Sequence, residues 1–206
     1  MSAFNEIYDL FLELIDDMSF VQKQIGGQKA ALARRILITQ LFSQMETIGY
    51  LLATAVQTEF AENRYQGRIT FDDYLASLDD DVVLKDNGDP DVRPKKHRML
   101  AHILFSLKLT AKHLDRPYDP FTVTGWESVK TANKIRDRLT HPKSKADLEV
   151  SNDENRTVAL AVRWFLISLV QLIGIDERWI AKTQELAPSL FDERMASVLA
   201  QRYPKL

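Results

Sequence analysis

The chain has 206 residues, of which 45% are hydrophobic and 27% charged, and a formal net charge of -2. That is enough apolar material for a sizeable core, and too short a length to require two domains. The lack of cysteine excludes disulfides and thiolate chemistry and favours an intracellular home. Glu6, Asp9 and Glu13 interrupt the first apolar residues, unlike a signal peptide, and no uncharged apolar run reaches the ~18 residues of a bilayer span. A soluble, cytoplasmic protein without membrane contact is expected.

Apolar spacing is helical nearly throughout, and the seven glycines leave few strand-type turns, which predicts an all-α fold. Phe4, Ile7, Tyr8, Phe11, Leu14, Ile15 and Met18 mark a first amphipathic helix ended by Gly26-Gly27. A long helix follows from about Gln28 to Phe60, with Leu37, Leu41, Ile48, Leu52 and Ala55 on its stripe and Gln44 projecting among them. Thr70 to Leu78 reads as a short capped helix. Asp79-Asp80-Asp81 and Asp86-Asn87-Gly88-Asp89-Pro90 read as a loop. Its acids lack the alternation and closing glutamate of an EF-hand, so no metal site is expected there. Pro94 should open a helix to about Leu114 with Leu100, Ile103, Leu104, Leu107 and Ala111 inward and His102 and His113 solvated.

Thr124-Gly125-Trp126-Glu127 has the form of a capping box and should start the next helix. Pro142 biases His141 away from helical dihedrals and should stop it near Thr140. Lys143 to Val150 is a loop, and Ser151-x-x-Glu154 caps a helix over 152–173 that is apolar almost all round and therefore central. Helices from about Asp176 and from Ser189-x-x-Asp192 should complete the chain.

The stretch with most chemistry is Ile135-Arg136-Asp137-Arg138-Leu139-Thr140-His141-Pro142. Arginine presents a planar fork of donors suited to phosphate oxygens, and histidine titrates where acid or base work near neutral pH needs it. With 14 Arg and 4 His, Arg-x4-His arises by chance roughly 0.3 times, so context must carry it. Residues five apart inside a helix point about 140° away from each other. A histidine just past the last turn can instead fold back, and the two could share one phosphate.

On the same helix Trp126, Val129, Ala132, Ile135 and Leu139 form one face, and Arg136 falls inside it. Such an arginine is either paired with a carboxylate as part of the core or opens onto a cleft. Gln44 is a candidate polar partner for it, or else a satisfied core glutamine. Lys130, Lys134, Arg138, Lys143 and Lys145 surround the motif. They form a basic patch fitted to a polyanion, unless they are only a solvated face.

These residues resemble the signature of HEPN domains, helical nucleases and nucleotide-binding modules marked by Arg-x4-6-His, with Asn, Asp or His often after the arginine. Asp137 fills that slot, and the motif lies at the end of one helix and before another long apolar one. The resemblance implies a four-helix bundle over about residues 28–175 within a single domain of 1–206, with 1–27 and 176–206 as helical additions. It implies a metal-independent endoribonuclease without cofactor, paired as a homodimer with motifs facing across the interface. Arg136 and His141 would be catalytic, Asp137 and Gln44 supporting or orienting, and Lys130, Lys134, Arg138, Lys143 and Lys145 RNA-binding. A toxin or phage-defence role, with an antitoxin protein as partner, fits the family. So does a module without catalysis that binds nucleotide, RNA or a partner protein. A structural helical dimer is the third reading.

Overall fold

The computed structural model describes residues 30–62, 68–87, 89–95, 98–121 and 125–174, together with Ile7, Leu10, Glu13, Asp16 and Phe20, each in helical conformation. The expected helices beyond Asp176 and most of the first helix lie outside the described residues. From residue 30 on, the described residues form five helices and one hairpin in order: α1 Ala30–Ala61, α2 Phe71–Ser77, β1 Asp80–Leu84, β2 Pro90–Pro94, α3 Met99–His113, α4 Trp126–Thr140 and α5 Asn152–Ile173. The protein is thus mostly helical, with a small two-stranded sheet.

Local sequence explains most boundaries. The Thr70 hydroxyl accepts the Asp73 N–H while Asp73 takes the Thr70 N–H, a reciprocal box that starts α2. Ser151 and Glu154 do the same for α5. The box expected at Thr124 does not start α4: its N-cap is Gly125, which makes no side-chain cap, and Thr124 itself lies outside the described residues. Gly125 has φ 133°, and a Cβ there would lie 2.8 Å from the Trp164 Cβ. The chain therefore turns into α4 against α5 at a place where only glycine fits.

The main core cluster draws on α1, α3, α4 and α5, from Ile38, Phe42, Met45 and Ile48 through Ile103 and Leu107 to Val129, Ile135, Trp164 and Leu172, and a smaller one holds Val56, Ile69 and Leu109. Ile7 joins the main cluster. Trp164 is fully buried, donates from Nε1 to the Pro120 carbonyl at 3.0 Å and lies 5.0 Å from the Trp126 ring. By length and composition α5 could cross a membrane, yet 56% of its apolar window is buried within the protein. It is the central helix that its all-round apolar pattern predicts.

Three further expectations need correction. Residues 79–90 are not a loop: β1 and β2 pair antiparallel, with Val82 opposite Val92, around a turn that includes Asp86 and Asn87. Pro94 ends β2 and does not open α3, which begins at Met99. A proline fits a strand end as well as a first helical turn, so its presence alone could not decide. His102 and His113 are half-buried and not solvated, since α3 packs against both α1 and α5. His102 sits beside Gly49 of α1, its Nδ1 3.9 Å from where a Cβ would stand.

Candidate nucleic-acid interface at the end of α4

Helix α4 buries Val129, Ala132, Ile135 and Leu139, which fixes the rotation of every other side chain on it. Arg136 is next to that face, with 30% of its side chain exposed. Its Nη1 donates to Asp137 Oδ1 at 3.0 Å. From the previous turn Asn133 Nδ2 donates to the other carboxylate oxygen of Asp137 at 3.3 Å. Asp137 is thus held from both sides. The Asn133 Oδ1 is buried without a hydrogen-bond partner.

His141 is the C-cap of α4, at φ -128° and ψ 57°, and is exposed. Its main-chain N–H donates to the Asp137 carbonyl at 3.0 Å, while Thr140 Oγ1 donates to the carbonyls of Arg136 and Asp137. Asp137 therefore meets Arg136 through its carboxylate and His141 through its backbone. Helix α4 ends at Thr140 before Pro142, as the proline requires.

The five expected RNA-binding residues divide. Lys134, Lys143 and Lys145 are exposed. Lys130 is held by Glu127 at 2.6 Å. Arg138 faces the protein: its Nη1 donates to the carbonyls of Asp147 at 2.8 Å and Glu149 at 2.9 Å, and its Nη2 to Glu154 Oε1 at 2.7 Å. Glu154 uses its second oxygen for the Ser151 N–H at 2.9 Å. One guanidinium thus ties α4 to the following loop and to the start of α5.

Within that loop, which holds a single three-ten turn at Ala146–Leu148, Asp147 Oδ2 accepts the main-chain N–H groups of Lys143 and Ser144, both at 2.8 Å. The Lys143 N–H, then the Ser144 donors and the Arg138 charge, hold the Asp147 carboxyl below its usual range despite some desolvation. Arg34 of α1 closes the loop, its Nη1 donating to the Val150 carbonyl at 3.2 Å. Gln44 is buried at 4% exposure on α1 and has a polar partner.

Sequence reasoning did not find Asn133, Asp147 or Arg34. The first two carry local signals: Asn133 is one turn before Asp137, and Asp147 follows Ser144 at capping spacing. Arg34 acts across 116 residues, and no local pattern marks it. Among the described residues no three His, Asp or Glu side chains gather as metal ligands. Comparison with protein-family models, curated proteins and solved structures gives no match.

Proposed function

We propose that the protein is a metal-independent endoribonuclease of the HEPN type. The observation that carries the reading is the sharing of one helix end by Arg136 and His141, with Asp137 between them. His141, exposed at the C-cap, serves as general base or acid when a ribose 2'-hydroxyl attacks the adjacent phosphorus. The 2'-oxygen–phosphorus bond forms, the bond to the 5'-oxygen breaks, and the products end in a cyclic phosphate and a 5'-hydroxyl. Arg136 stabilises the charge that builds on the phosphate oxygens.

Lys134, Lys143 and Lys145 supply backbone contacts that position RNA without reading its sequence, whereas Arg138 positions the loop that follows His141. Two copies would pair with their motifs across a two-fold axis, and a toxin or phage-defence role with an antitoxin partner suits such an enzyme. A structural reading would have to rest on the Arg136–Asp137 pair. That pair joins neighbours in sequence and half of the Asp137 side chain faces water. Such a pair contributes only ~0–1 kcal/mol to stability, little for a charge to remain at the edge of the core.

The test is incubation of labelled RNA with the protein in EDTA. Wild type should cleave, and His141→Ala should lose at least about 10²-fold in rate with RNA affinity and melting temperature nearly unchanged. Arg136→Ala should lose both cleavage and part of the affinity. Cleavage that needs added magnesium, or full activity in His141→Ala, would overturn the reading. RNA binding without cleavage would leave a binding module of the same site.

A further inference from the structure

Among the described residues no strand pairs with the outer edge of β1, and the outer edge of β2 is closed. Lys95 donates its main-chain N–H to the Asp79 carbonyl and Lys85 donates to Asp89. With Asp81 opposite Arg93 and Val83 opposite Asp91, the odd-numbered residues of β1 make the ladder bonds. The N–H and C=O groups of Asp80, Val82 and Leu84 therefore point away from β2. The corresponding outward positions of β2 are Pro90, Val92 and Pro94, and the two prolines have no N–H to offer. Only β1 can accept a further strand.

The surroundings define what that strand would be. Lys95 bridges Asp81 at 3.4 Å and the Leu75 carbonyl of α2, so the face of the hairpin that carries Asp81 is turned to the body. On the opposite face Val82 and Val92 are 69% and 62% exposed, an apolar pair left in water. Asp79, Asp80, Asp86 and Asp89 are exposed around it, and none of them has a basic partner in an ion pair among the described residues. A second copy pairing edge to edge in parallel would bring Asp79, Asp80 and Asp81 of both chains together, which like-charge repulsion opposes, and one pairing antiparallel about Val82 would set Asp80 opposite Leu84 and offer Asp79 only Lys85, which already faces Asp91.

We propose that β1 is a docking edge for an extended basic segment of a partner protein, one alternating Lys or Arg with β-branched residues. Such a segment would complete the main-chain bonds of Asp80, Val82 and Leu84, cover Val82 with its own apolar side chains and set its cations against Asp79 and Asp80.

The test uses the full isotope-labelled chain and a seven-residue peptide of alternating lysine and valine, with a glutamate–valine peptide as control. Amide shifts should saturate at Asp80, Val82 and Leu84, with the glutamate peptide at least about tenfold weaker. Val82→Pro, which removes an outward N–H and no ladder bond, should abolish binding. Asp79→Asn with Asp80→Asn, which leaves the hairpin's backbone pairing alone, should weaken it about threefold or more. No saturable shift at β1, equal binding of both peptides, or self-association of the protein that Val82→Pro removes would overturn the proposal.

Discussion

Asp137 is the resident anion of the Arg136 guanidinium, 3.0 Å away, and a phosphate that is to be held by Arg136 has to displace it. The exchange is inexpensive because the pair is partly exposed and worth ~0–1 kcal/mol. Asp137→Asn should therefore raise affinity for a short single-stranded RNA, by up to about fivefold on that energy. Fluorescence anisotropy at fixed salt measures it, and weaker binding would show that Asp137 aids the ligand and does not compete with it. At this scale the sequence was partly legible. Arg136 and His141 stand where the apolar stripe and Pro142 imply, since both signals are local. Arg138 looked like one more cation of the patch, because its acceptors are 9, 11 and 16 residues away in a loop whose path no periodicity describes.

Capping boxes at Thr70 and Ser151 and the proline after α4 were readable, as α2, α5 and the end of α4 show, whereas the box expected at Thr124 and the helix expected from Pro94 were misread. The hairpin was not, for a physical reason: five-residue strands with Asp79–Asp81 at one end and prolines in the other strand have weak local preference. Pairing across the turn stabilises them, and pairing is not a property of either segment alone. The start of α4 offers a direct test. Gly125→Ala places a Cβ 2.8 Å from the Trp164 Cβ at a positive φ, so urea denaturation should show a loss of about 2 kcal/mol or more; an unchanged midpoint would mean that the turn relaxes freely. The loop after α4 offers another. Because the folded Asp147 carboxyl titrates below its ordinary value of 3.8, its contribution to stability is present above that value and is lost as pH falls through the lowered one. Asp147→Asn should melt below wild type at neutral pH, and the two should converge in acid. A constant gap across the whole range would assign the difference to something other than this carboxylate.

At the scale of the molecule, a chain of net charge -2 exposes Asp79, Asp80, Asp86 and Asp89 around the β1–β2 hairpin and Lys134, Lys143 and Lys145 around the end of α4, where Asp137 and Glu149 are exposed as well. A mildly acidic protein can bind a polyanion only if such separation creates a locally positive field. Once Arg138 is assigned to its protein partners, the proposed RNA track rests chiefly on Lys134, Lys143 and Lys145 beside Arg136, with Lys130 in an exposed pair with Glu127. Each phosphate they neutralise releases condensed counterions, so the logarithm of the binding constant should fall with the logarithm of salt concentration at about 0.7 per contact for a single strand. Changing all three lysines to Ala should flatten that slope by about 2 and weaken binding most at low salt, with melting unchanged because the three are exposed. Arg138→Ala should do the reverse, lowering the melting temperature through the loop while altering the slope little. Titrations of both variants at four salt concentrations decide the matter: a slope that survives the triple substitution excludes this end of α4 as the track, and a slope that falls with Arg138→Ala returns that arginine to the RNA.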